Sequence, residues 1–255
     1  MSTAWKHLAA EPATLKVSGH LMSDLEFSRT DVGLPSVNKP SRVTRFIRNW
    51  SEWTEFCIVL GIAFGITFAI DICRLPHPKH YVFRNSLLLT TSGFQAVILG
   101  AVLWVGQIRG WSLSSFGTRV SWRGTFGGVL LHVLLLAMGL AAGAFLQKLH
   151  PEPQNYSSVP MALPAVLLAS IVNPIFEETL ESGYIVSRLQ RFGPWVAIGA
   201  SAIVRGIAHL YQGVNGVIDA FIFGAVMALV YWRYRQLWPL VLAHGTLNFM
   251  GFIAR

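Results

Sequence analysis

Residues Ile171–Gly183 read Ile-Val-Asn-Pro-Ile-Phe-Glu-Glu-Thr-Leu-Glu-Ser-Gly. Glu177, Glu178 and Glu181 stand within five positions, in or at the edge of an apolar stretch that begins near Val159. The whole chain has only 12 acidic residues, so this is a concentration. A charged side chain at mid-bilayer costs about 2.5–3.5 kcal/mol on insertion scales. Such groups persist where something pairs with them or uses them, so their partners must come from elsewhere in the chain.

Composition decides the class. Charged residues make up 13% of 255 residues and hydrophobic residues 53%. A soluble domain carries about 25% charge. Half that value, with long apolar runs, predicts an all-α polytopic transmembrane bundle with a polar N-terminal tail. The net charge of +8 raises nucleic-acid binding as an alternative. The bases sit in short loops between apolar runs rather than on one soluble face, so the bilayer is the expected partner and nucleic acid is not.

Working outward, residues 1–50 are polar and read as a cytoplasmic tail, partly disordered or interfacial, and residues 51–255 as the membrane domain. The tail lacks the apolar core of a cleavable signal peptide. It ends with Lys39, Arg42, Arg45 and Arg48, interleaved with Phe46 and Trp50, a pattern suited to the headgroup region. About seven spans follow: Thr54–Cys73, Ser86–Ile108, Gly124–Leu146, Val159–Leu180, Pro194–Leu210, Val214–Trp232 and Leu237–Ala254. Cys57 and Cys73 lie on the first, about 24 Å apart along a helix, so they cannot pair with each other. Arg109, Arg119, Arg123, Arg188, Arg191, Arg233 and Arg235 fall on the side of the tail, which places the N-terminus in the cytoplasm of a multi-pass cell-membrane protein. In the loop after the first span, His77 and His80 could bind a metal but are expected to be solvated. His132 on the third span is expected to bond between helices. Pro174 should loosen the fourth span one turn before Glu177. Asp219 is expected to act as a helix N-terminal charge or to reach water.

Three helices carry polar pairs four residues apart. These are Glu177 with Glu181 (and Glu178 with Ser182), Arg205 with His209, and His244 with Asn248. In an apolar surround, the economical arrangement turns all three stripes toward one pocket. A carboxylate beside an imidazole can hold and deprotonate a water. A second imidazole and an amide can stabilise an oxyanion. Glu177, His209 and His244 could equally hold a divalent metal such as zinc. Both arrangements lead to hydrolysis of a carbonyl compound in the membrane. Asn173, Tyr184 and Gln212 could line the same pocket but carry no assigned role.

These segments resemble the CPBP intramembrane proteases, also called the CAAX-protease or Abi family. The first family motif is two glutamates, three residues and an arginine, commonly after a proline and before a glycine; Pro174 to Gly183 is similar to it. The second is Phe, three residues and His, here Arg205-Gly-Ile-Ala-His209. The third, His, three residues and Asn, is met in full by His244-Gly-Thr-Leu-Asn248. The resemblance covers about residues 100–252. It implies an intramembrane endopeptidase acting on a peptide or membrane-protein substrate. Glu177 with His209 would activate water, His244 and Asn248 would stabilise the oxyanion, and Glu178 would orient the site.

Two departures stand out. The arginine of the first motif is Ser182 here, preceded by Glu181 instead of an aromatic, and the aromatic of the second is Arg205. A buried arginine needs a carboxylate partner. Arg205 is therefore expected to replace the missing arginine from across a helix interface, pairing with Glu181 or Glu178 in a supporting role. The alternatives to an enzyme are a non-catalytic membrane protein of the same fold, with an immunity or partner-binding role, and a transporter. A transporter would often carry internal symmetry, which is not seen here.

Overall fold

The computed structural model describes residues 41–74, 81–151 and 156–254. The tail before residue 41, and His77 and His80, lie outside the described residues. The chain from Ser41 onward forms one compact unit. It opens with a short helix, α1 (Arg42–Arg48), capped by Ser41, whose hydroxyl accepts from Thr44 N at 3.1 Å. Ile47 of α1 is buried and Phe46 is exposed, so the basic turn seen in the sequence lies partly on the body.

Each apolar run becomes a helix: α2 (Glu52–Arg74), α3 (Asn85–Ile108), α4 (Trp122–Leu149), α5 (Leu163–Glu177), α7 (Pro194–Ala208), α8 (Gly213–Tyr234) and α9 (Trp238–Ile253). Between α5 and α7 lie a π-helical segment, Glu178–Ile185, the single turn α6 (Val186–Leu189), and a 3-10 turn. Two short strands, β1 (Tyr81–Phe83) and β2 (Tyr156–Ser158), pair in parallel and join the loops after α2 and α4.

Among the described residues, five helical segments are long and apolar enough to cross a membrane: those from Glu52, Asn85, Trp122, Leu163 and Leu210. The two remaining helices, α7 with 15 residues and α9 with 16, fall short of the about 20 residues that a full crossing takes. All seven expected spans are thus helices, but two are too short to count as full crossings by length. The fifth also ends early, because the chain leaves α geometry at Ala208, before His209.

The surface is inverted relative to a soluble protein. Val97, Trp122, Leu140 and Phe145 point outward, as lipid-facing residues do, while Arg205 is the largest fully buried side chain. Helix α5 packs between α3 and α9, α8 packs on α7, and α9 also packs on α4. The α5–α9 contact is close because Gly245 faces the Ser170 carbonyl; a Cβ there would lie 2.7 Å from that oxygen. Ser170 is four residues before Pro174, so its carbonyl is the one that Pro174 cannot bond. The proline thus frees a carbonyl at the place where α9 comes nearest. His132 also ties α4 to α9, with Nδ1 2.8 Å from Thr246 Oγ1, as expected of a histidine in a span.

Three of the arginines read as cytoplasmic, Arg109, Arg188 and Arg191, pair with the acids at the start of α2. Glu55 of α2, 1% exposed, accepts from Arg109 Nε at 2.7 Å, from Arg188, and from Tyr184 Oη at 3.2 Å. Arg109 also reaches the Arg48 carbonyl of α1 at 2.6 Å, and Arg191 pairs with Glu52. Cys57 and Cys73 are both free thiols on α2.

Candidate active site

The site forms where α5 passes into the π segment. The chain stays α-helical through Pro174 and up to Glu177, then widens at Glu178. The loosening expected from Pro174 therefore falls one turn after it. A π turn closes over one residue more than an α turn and recurs at functional sites. Here it lets Glu177, Glu178 and Glu181 all reach one cation.

That cation is Arg205 of α7. Its Nη2 lies 2.6 Å from Glu178 Oε1, its Nε 2.7 Å from Glu181 Oε2, and its Nη1 3.3 Å from Glu177 Oε2. The contact to Glu178 is a hydrogen bond, whereas that to Glu181 is an ion pair without hydrogen-bond alignment. The guanidinium fork spreads over three carboxylates, which an ammonium could not do with the same geometry. Phe223 of α8 stacks on it at 5.1 Å. Gly224 leaves room for it, since a Cβ there would come 3.0 Å from Arg205 Cδ. Ser182, where the family motif has arginine, donates from Oγ to Glu178 Oε2 at 2.6 Å. The pairing expected from the two motif departures is present.

His244 of α9 faces both glutamates. Its Nδ1 is 2.8 Å from Glu178 Oε1, and because a carboxylate only accepts, Nδ1 carries the hydrogen. The other nitrogen, Nε2, is 3.9 Å from Glu177 Oε2, too far for a direct hydrogen bond. The edge of the ring rests against Phe223 at 5.3 Å between centroids. Glu178 and Glu181 are fully buried, whereas the Glu177 side chain keeps 12% of its surface exposed. Glu177 is thus the accessible carboxylate of the three.

His209 caps α7. Its Nδ1 donates to the Arg205 carbonyl at 2.8 Å, which leaves Nε2 as the acceptor in the neutral ring. The ring stacks on Tyr211 at 6.0 Å. It is within electrostatic range of Glu177, Arg205 and His244, but it makes no hydrogen bond or ion pair to Glu177 among the described residues. The structure therefore draws Glu177, Glu178, Glu181, Arg205 and His244 into contact and sets His209 at their edge.

Asn248 enters through a residue with no role assigned from the sequence. Its Nδ2 donates to Asn173 Oδ1 at 2.8 Å, and Asn173 Nδ2 donates to Glu177 Oε1 at 2.5 Å. Asn173 precedes Glu177 by four residues on α5, so the helical spacing that paired the other stripes also pointed to it. Tyr184, by contrast, turns away to Glu55, and Gln212 bonds Tyr211. Asp219 lies beyond the first turn of α8, which begins at Gly213, so of the two roles expected from the sequence the helix N-terminal charge falls away, while the residue keeps partial exposure.

The donor set also bears on zinc. No group of three His, Cys, Asp or Glu side chains among the described residues converges on a metal position. Glu177 and Glu178 are shared with a guanidinium, whose charge opposes a second cation beside it. Glu177, His209 and His244 do not fit a metal in this arrangement.

Residues 159–250 match the family model described as type II CAAX prenyl endopeptidase, Rce1-like. The matched segment runs from before α5 into α9 and holds every residue of the site, and it agrees with the resemblance to the CPBP or CAAX-protease family. That family is one of proteases. No curated protein matches the chain, and no solved structure does.

Proposed function

We propose that the chain is an intramembrane endopeptidase in which Glu177 activates a water against a peptide carbonyl. The observation that carries this reading is the division of labour among the carboxylates. Glu178 and Glu181 are sealed and held by Arg205, while Glu177 keeps access and faces His244 across 3.9 Å. A gap of that size is bridged by one oxygen atom hydrogen-bonded to both sides. A water placed there loses a proton to Glu177, assisted by the Nε2 acceptor of His209 at the edge of the site. The protonated carboxyl then passes that proton to the departing amine. His244, when protonated, presents Nε2–H to the developing oxyanion. Asn248 spends one amide hydrogen on Asn173 and keeps a second for the same oxyanion. Arg205 holds three carboxylates together and takes the place of the arginine missing from the first motif. The N-terminus and the Glu55 end of the bundle face the cytoplasm, in line with the basic residues gathered there.

The description of the matched family names a prenyl endopeptidase, which makes a prenylated C-terminal peptide the first substrate to test. A second reading, a binding protein that no longer hydrolyses anything, draws on the same guanidinium, because Arg205 engages the carboxylates that would do the chemistry. Glu177→Gln separates the two. With a prenylated peptide in detergent, the variant should retain binding and lose cleavage. Cleavage at the wild-type rate by Glu177→Gln would overturn the enzymatic role of Glu177.

A further inference from the structure

The chain Asn248, Asn173, Glu177 has a fixed direction. Ionised Glu177 can only accept, so Asn173 must turn its Nδ2 to it, at 2.5 Å. That turns Asn173 Oδ1 the other way, where only a donor suits it. Asn248 supplies one from Nδ2 at 2.8 Å. Both amides are therefore oriented by the carboxylate at the end of the chain. In return, Glu177 Oε1 is committed to Asn173, and Oε2 is the oxygen left toward Arg205 Nη1 at 3.3 Å and His244 Nε2.

We propose that Asn173 is a positioning residue that transmits Asn248 to Glu177 and so selects Oε2 as the oxygen that meets the water. The proposal rests on the hydrolytic reading. It gives α9 two holds on the acid pair: His244 grips Glu178 directly, and Asn248 grips Glu177 through Asn173. Without the relay, Glu177 can rotate about its terminal torsion and exchange its two oxygens. A reacting group misplaced by about 1 Å loses on the order of 100-fold in rate.

Two variants test this in purified protein with a prenylated peptide. Asn173→Ala should lower kcat by about 10-fold to 100-fold with KM nearly unchanged, and Asn248→Ala, which also removes the oxyanion donor, by more. Because the two act as one unit, Asn173→Ala should add no further loss in the Asn248→Ala background. Asn173→Asp keeps the shape and packing but replaces the donor by a second carboxylate beside Glu177. A proton shared between the two restores the donor, so this variant should be slow near neutral pH and recover relative to wild type as pH falls. A merely structural role for Asn173 would not produce that profile. Equal slowing by Asn173→Ala in both backgrounds, or a wild-type pH profile for Asn173→Asp, would overturn the relay. Wild-type cleavage with Asn173→Ala equally fast sinks the relay alone, whereas a folded wild type that cleaves nothing sinks the hydrolytic reading and the relay with it.

Discussion

Arg205 Nη2 sits 2.6 Å from Glu178 Oε1, across 27 residues of sequence and the α7 interface with the π segment. Both side chains are buried, and the same guanidinium reaches Glu177 and Glu181. Removing one partner of a buried ion pair leaves an uncompensated charge and costs about 3–5 kcal/mol. Arg205→Met should therefore lower the thermal unfolding midpoint in detergent more than any other single change at the site. Arg205→Lys keeps the charge but loses the fork, and its midpoint should fall between those of Arg205→Met and the wild type.

The arginine can be returned to the family's position. The triple variant Glu181→Phe, Ser182→Arg, Arg205→Phe places the cation on the fourth span and aromatics at 181 and 205. Its thermal midpoint should recover most of what Arg205→Phe alone loses. If the triple variant is no more stable than Arg205→Phe, then Arg205 does not stand in for the missing motif residue.

Gly245 neighbours His244 and faces the Ser170 carbonyl, with space for no side chain. Overpacking at such a contact costs about 1–3 kcal/mol. Gly245→Ala should push α9 away from α5 and carry His244 away from Glu178. Kinetics would show this as a loss concentrated in kcat rather than KM.

At the other end, Glu55→Gln removes one charge from a buried cluster with Arg109 and Arg188. Hydrogen bonds to charged groups contribute about 1.5–3 kcal/mol each, and the partial exposure of both arginines puts this change at the low end. Chemical denaturation of the variant measures it.

Metal removal gives a separate check. The glutamates are shared with Arg205, and Glu177, His209 and His244 do not converge. Incubation with a zinc chelator should therefore leave the cleavage rate unchanged. A chelator-sensitive rate restored by zinc would show that the site rearranges to admit an ion.

Much of this was readable in the residues because hydrophobic runs and four-residue spacing are local properties. The seven helices, the inward stripes and the need of Arg205 for a carboxylate all follow from them. What escaped depends on distant parts of the chain. The π segment is a tertiary compromise that brings three acids to one guanidinium, and no propensity in Glu178–Ile185 announces it. The strands at Tyr81 and Tyr156 form only because two loops meet. Asn173 gains its role from the direction of a hydrogen-bond chain that ends on another helix. Short helices such as α7 and α9 look like spans by composition while lacking the length.

The most direct measurement is cleavage of a prenylated peptide in isotopically labelled water by wild-type protein and by Glu177→Gln, both reconstituted in lipid vesicles, with product masses recorded. Water activated by Glu177 predicts one labelled oxygen in the new carboxyl terminus from wild type, and no product from Glu177→Gln. Folded wild-type protein that yields no product, or a Glu177→Gln variant that yields it at the wild-type rate, would contradict the account.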